Sequence, residues 1–253
     1  MKRTSGIFLI ICLFTGILIA VPGCGSSGGD KGTRVAVLSN EATTLYAADV
    51  VEKLEATGKF SRVDTINAAA STPSLAQLQL YDGVLLYTGD NGPALADTTA
   101  IGNVLADFVD QGGGLVVAFA AVVYSPGLTE FALGGDYVSA QYYLIPPVTH
   151  TIGSQVSGAV LDSTHPILDG FNSFASGTTN AWADTTLVVS GAEVILEWAD
   201  GTPLVVTGEI GGVRRVDLNF YPPSSDSDNR LWVATTDGDK LMANALAWVA
   251  NSP

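Results

Sequence analysis

YDGVLLYTGDNGPALADTTAIGNVLADFVDQGGGLVVAFA, from Tyr81 to Ala120, is one complete strand, helix, strand unit with its punctuation intact. Gly83 to Tyr87 is a short apolar run with the length of a strand buried on both faces. The polar turn Thr88 to Pro93 follows it. From Asp97 onward Ile101, Leu105, Phe108 and Val109 recur at spacings of three and four, which puts them on one face of a helix. Gly112, Gly113 and Gly114 stop that helix, where a left-handed residue costs glycine little. Leu115 to Ala120 is then a second buried strand. Parallel strands need a crossover of this kind, and it is almost always right-handed. The unit predicts a doubly wound, mostly parallel α/β protein whose ligand site lies in the turns after its strands.

Working outward from that unit, Arg34 to Leu38 is the first strand, and Ser39-Asn40-Glu41 is the turn at its carboxyl end. A helix capped by Thr43 or Thr44 runs to Ala56, with Leu45, Ala48, Val50, Val51 and Leu54 on its inner side. Phe60 to Ile66 is a strand toward one sheet edge, and Ser74 to Leu80 is a short helical turn. Past Ala120 the pattern changes. Residues 122–160 read as an insertion rich in Gly, Tyr and Ser, with one short helix at Leu128 to Ala132 and a strand or a pair of strands at Thr149 to Val160. His165 to Phe171 is a turn with an apolar plug. An antiparallel extension follows: Thr186 to Ser190, Glu193 to Trp198, the hairpin signal Asp200-Gly201, Pro203 to Glu209, a second signal Gly211-Gly212, and Val213 to Phe220. Lys240 to Val249 is a closing helix with Asp237 or Asp239 near its start.

The front of the chain reads as an address. Lys2 and Arg3 precede the apolar run Ile7 to Val21, which at roughly 15 residues is shorter than the ~20 of a membrane span and suits a secretory signal. Val21-Pro22-Gly23-Cys24 resembles the bacterial lipobox, which implies cleavage before Cys24 and a lipid on that residue. Residues 1–23 are then the signal, 24–32 a Gly and Ser-rich tether, and 33–253 one α/β domain. Cys24 is the only cysteine remaining once Cys12 leaves, so no internal disulfide forms. The mature chain keeps 25 acidic and 9 basic residues, a formal charge of −16. Such a surface repels nucleic acid.

A family likeness rests on the crossover units, on Ser163-Thr164-His165-Pro166-Ile167-Leu168-Asp169-Gly170-Phe171, and on Gly201-Thr202-Pro203-Leu204-Val205-Val206 leading to Val216-Asp217-Leu218-Asn219-Phe220. Over residues 34–251 the chain resembles class I glutamine amidotransferase-like domains, in the branch of trehalose-utilisation-type (ThuA-like) proteins. The resemblance implies a flavodoxin-like sheet. It also implies a cysteine nucleophile on a sharp elbow after the strand Leu115 to Phe119. Here that place holds Phe119-Ala120-Ala121-Val122-Val123, with no Cys, Ser or Thr, and no acyl-enzyme can form on alanine or valine. The family's later histidine and acid have no match either. The scaffold is expected without the chemistry.

Among the other motifs, Thr88-Gly89-Asp90-Asn91-Gly92 lacks the spacing and lysine of a phosphate loop. Asp226, Asp228 and Asn229 offer oxygen ligands suited to Ca²⁺, but Arg230 and Leu231 break the EF-hand pattern, and a self-capped loop is the simpler reading. His150 and His165 are isolated, so no zinc site is expected. Aromatic faces flanked by Asp and Asn suit sugar binding, and Tyr124, Tyr137, Tyr142, Tyr143, Trp182, Trp198, Tyr221 and Trp232 are the candidates, most of which read as core. The expected protein is a lipid-anchored envelope protein at the outer membrane or cell surface, without catalysis or cofactor, binding a glycan or another envelope protein through Glu41, Asp90, Asn91, Ala120, Tyr124 and Tyr221. The alternatives are a glycan hydrolase using carboxylates such as Glu41 and Asp90, and a structural subunit of an envelope assembly.

Overall fold

The computed structural model describes residues 32–90, 92–118 and 129–251. The first half alternates strand and helix: β1 (Arg34–Ser39), α1 (Leu45–Ala56), β2 (Arg62–Asn67), α2 (Leu75–Leu78), β3 (Gly83–Tyr87), α3 (Thr98–Asp110) and β4 (Gly114–Ala118). Helix starts follow capping chemistry, for the side chains of Thr44, Ser74 and Asp97 accept the N–H groups of Tyr46, Gln77 and Ala100. The second half holds α4 (Gly135–Ser139), β5 (His150–Ile152), β6 (Ser157–Val160), β7 (Ala181–Ala183), β8 (Glu193–Trp198), β9 (Pro203–Ile210), β10 (Val213–Leu218) and α5 (Gly238–Ala250), with 3-10 turns at Thr129–Phe131 and Pro166–Leu168.

Eight strands form one sheet in the order β2-β1-β3-β4-β10-β9-β8-β6. The first five are mutually parallel, and β9, β8 and β6 continue it antiparallel. Successive residues of the central strands face opposite sides of the sheet. Val35, Val37, Leu85, Tyr87 and Val116 pack with Val50 and Leu54 of α1 and Leu241, Leu246 and Val249 of α5. Ala36, Leu38, Val84, Leu86, Leu115 and Val117 pack with Leu78 of α2 and Ile101, Leu105, Phe108 and Val109 of α3. The sheet is therefore covered on both faces, as the doubly wound reading requires.

Both hairpin signals make the turns expected of them. Gly211 and Gly212, each with positive φ, close β9 onto β10 in a two-residue turn. The elements between differ from the reading in three places. Thr186 to Ser190 is β-prone but forms no strand: its ladder bonding is limited to the Val189 N–H on the Leu144 carbonyl, and Leu187 is exposed. The strand in this region is instead the three-residue β7, which pairs with β5 in a separate small sheet. Helix α4 is too short and glycine-led to show a helical period. The pair expected at Thr149 to Val160 divides between the two sheets, β5 joining β7 and β6 joining β8.

The segment from Tyr137 to Ile145 is locked to the sheet by two charged side chains of β10. Arg215 is fully buried; its guanidinium donates to the Leu115 and Tyr142 carbonyls and to the Tyr137 hydroxyl. Asp217 accepts the N–H groups of Leu144 at 2.8 Å and Ile145 at 2.9 Å. The two charges approach to 3.9 Å. Burial pushes the Asp217 carboxyl above its ordinary range, against the pull of Arg215 and both backbone donors.

Candidate functional site

In the order β2-β1-β3 the chain reverses direction across the sheet between β1 and β3, and the crevice at the carboxyl ends of such a pair is where open α/β sheets bind ligands. Two short turns meet there. Asn40, buried, donates from Nδ2 to the Gly89 carbonyl at 2.7 Å and the Pro93 carbonyl at 2.9 Å, and its Oδ1 accepts the Gly89 N–H at 3.0 Å. One side chain thus clamps the turn after β3 onto the turn after β1.

Glu41 follows directly and is fully buried. Its N–H is held by the Ser39 hydroxyl at 3.0 Å, and its carboxylate accepts a hydrogen bond from the Tyr221 hydroxyl. Tyr221 lies just past β10, yet it reaches over the ends of β4 and β3 to Glu41. On the way its ring meets that of Tyr87 edge to face, centroids 5.8 Å apart. Burial, then the nearby Glu41 charge, pushes the Tyr87 hydroxyl well above the ordinary phenol range. The Tyr221 N–H in turn donates to Asn180, whose own Nδ2 is buried with no hydrogen-bond partner among the described residues. Gly89 lines this junction because nothing larger fits: a Cβ there would stand 2.5 Å from the Tyr221 hydroxyl and 2.6 Å from a Glu41 carboxylate oxygen.

Of the residues the sequence nominated, Glu41 and Tyr221 come together, although 180 positions separate them. Asp90 stands at the same end of the sheet and is exposed. Asn91, Ala120, Tyr124, Cys24 and the Phe119 to Val123 bend lie outside the described residues. Asp226 and Asp228 do not converge. Asp226 is taken by Lys53, whereas Asp228 forms a bidentate pair with Arg230, whose hydrogen bonds hold its carboxyl down at about 2. Their loop caps itself through Ser224, and Asp49 of α1 holds Ser224 from below. No three His, Cys, Asp or Glu side chains among the described residues could hold a metal. His150 lies in β5, opposite Ala183.

Asn40, Asp49, Asn180 and Tyr87 were not nominated from the sequence. The first follows a strand in the same turn as Glu41, which was a usable signal. Asp49 sits in a helix and Asn180 in a loop before a three-residue strand, where nothing local marks them, whereas Tyr87 is the last residue of β3 and its strand-end position was a usable signal.

No family model matches the chain, and no curated protein matches it. Solved structures do. The crystal structure of a protein described only as ThuA-like, from Parabacteroides merdae, superposes with a TM-score of 0.59 at 17% identity, covering 87% of this chain and 91% of that one. The exo-β-1,4-mannosidase Op5Man5 from Opitutaceae bacterium strain TAV5 matches at a TM-score of 0.41 and 12% identity over 74% of this chain and 31% of its own, too distant to carry an argument. The chain therefore has a ThuA-like, flavodoxin-like α/β fold.

Proposed function

We propose that this is a lipid-anchored protein of the bacterial cell envelope whose domain binds a ligand or a partner, a glycan in the first instance, and performs no catalysis. The observation that carries this reading is the state of Glu41. A glycosidase needs two carboxylates facing one cleft, but Glu41 is sealed beneath Gly89 and bonded by Tyr221, while Asp90 is exposed. The buried acid at the switch point ties the turn after β10 to the turn after β1. The run Phe119 to Val123 supports the same reading, since it supplies no hydroxyl or thiol to attack an acyl group. The anchor rests on Lys2, Arg3, the apolar run and Cys24 in its lipobox-like setting, and mass spectrometry of the mature amino terminus checks it.

Binding is tested by screening a glycan and metabolite panel against the protein, then repeating with Asp90→Ala and Tyr124→Ala. A saturable, unaltered ligand whose affinity falls about tenfold in either variant, roughly 1.4 kcal/mol, is the expected result. Turnover of a glycan that Glu41→Gln abolishes overturns it in favour of a hydrolase.

A further inference from the structure

The opposite end of the sheet carries a cavity of about 570 Å³, within the roughly 300–1,000 Å³ range of small-molecule sites. Its wall comes from Lys59 ahead of β2, Arg214 at the start of β10, the turn Ser163 to Asp169, and Asn244, Trp248 and Asn251 of α5 and its end. The chain has only 11 Lys and Arg against 25 Asp and Glu, yet two of those cations stand here. Most acceptors of the wall are already satisfied from within. The Trp248 and Asn251 carbonyls take the Arg214 guanidinium, the Ile167 and Asp169 carbonyls take the Asn244 amide, and the nearby Asp162 carboxylate takes the Thr164 N–H and hydroxyl.

Several donors are not so committed. The Lys59 ammonium and the Ser163 hydroxyl make no hydrogen bond among the described residues. His165 accepts the Ile167 N–H on Nδ1 at 3.2 Å, so in the neutral ring the proton sits on Nε2 as a further donor. Burial, against the pull of Asp162 and Glu193, holds this histidine below its ordinary range and hence neutral at pH 7. On the wall itself the formal charges of Lys59, Arg214 and Asp169 sum to one positive charge, while Asp162 and Glu193 lie near His165 outside the wall. The donor surplus asks for an acceptor-rich ligand of one negative charge. His165 and Trp248 pack on one another, centroids 5.0 Å apart, and Arg214 lies over the Trp248 ring, so what the remaining wall offers a ligand is hydroxyl and amide groups and ring edges, which suit a hydroxylated body.

We propose that this cavity is a second binding site, separate from the strand-end site, for a small hydroxylated monocarboxylate of the sugar-acid class. The probes are D-glucuronate, D-glucose and inorganic phosphate, titrated calorimetrically into the full chain, and then into Lys59→Gln and Arg214→Gln. Lys59 is exposed and its side chain makes no hydrogen bond or ion pair among the described residues, so its replacement is expected to leave the fold intact. Glucuronate is expected to saturate one site, with glucose and phosphate at least tenfold weaker. Lys59→Gln is expected to weaken glucuronate about threefold to tenfold, as is 0.5 M salt. Absence of glucuronate binding, equal binding of glucose, equal binding of phosphate, or an affinity indifferent to Lys59→Gln overturns the proposal.

Discussion

The two halves of the sheet bury different chemistry. In residues 34–118 the buried positions inside the strands are hydrocarbon, and of the buried polar groups, Ser39, Asn40, Glu41 and Thr88 stand at strand ends while Asp49 lies in α1. In residues 129–251 Arg215 and Asp217 sit inside a strand, and Asn180, Asn219 and Asn244 are buried elsewhere in the same half. The difference follows from connectivity. In the first half short helical crossovers link strands of one parallel ladder, so nearly every backbone group finds a regular partner nearby. The second half must thread long irregular connections past the core, and buried N–H and C=O groups without a ladder still need partners. Side chains supply them. Asp217 takes the N–H groups of Leu144 and Ile145, Asn219 bonds Ala183 and Pro203, and Asn244 bonds Ile167 and Asp169.

The sharpest way to break this contrast is Arg215→Met. It strands Asp217 in the interior and frees the Tyr142 carbonyl, and losing one partner of a buried ion pair costs about 3–5 kcal/mol. Urea denaturation measures the loss, and hydrogen exchange locates it: the Leu144 and Ile145 amides should exchange far faster, while those of β1 and β3 follow only the global change. A loss under about 1 kcal/mol would mean that the pair behaves like a surface contact and the second half is not held this way.

A smaller effect is expected where the two halves touch. Gly89→Ala drives a methyl into the Tyr221 and Glu41 contact, and overpacking of this kind costs about 1–3 kcal/mol. Tyr221→Phe removes the obstructing hydroxyl together with the bond to Glu41. The double variant should therefore be more stable than the two single losses predict, by 0.5 kcal/mol or more. Strict additivity in that cycle would show that Gly89 is required for another reason.

The same contrast decides what could be read from the chain. The spacing of Ile101, Leu105, Phe108 and Val109 announces α3, and its two flanking strands follow from local punctuation; Asp200-Gly201 and Gly211-Gly212 announce the hairpins just as directly. These are short-range signals; the parallel half is built from them almost throughout, and in the second half they cover the β8-β9-β10 meander. Thr186 to Ser190 has strand-like composition but no neighbouring strand to pair with, and β7 and α4 are too short to carry a period. At the candidate site, position after a strand pointed to Glu41, Asp90 and Tyr221 individually. Their pairing, the Asn40 clamp, and the meeting of Lys59 with Arg214 at the far end depend on contacts across the folded chain, which one sequence does not encode locally.

The smallest expected effect tests whether the helix that closes the fold is held by the same device. Asp237 precedes α5 without capping it; its carboxylate instead accepts the N–H of Asn172 at 2.6 Å and of Ser173 at 3.0 Å, and pairs with Lys240 at 2.6 Å. Burial acts to raise this carboxyl, but the hydrogen bonds from Lys240 and the two backbone groups outweigh it and hold it below its ordinary value. A group depressed in the folded state contributes stability above its unfolded pKa, near 3.9, and loses it as pH falls through the folded value. Asp237→Asn should cost about 1 kcal/mol at pH 7, and the gap between variant and parent should close as the pH drops below about 4. A gap that stays constant down to pH 2 would show that the carboxylate charge is irrelevant and that α5 is held by its apolar face alone.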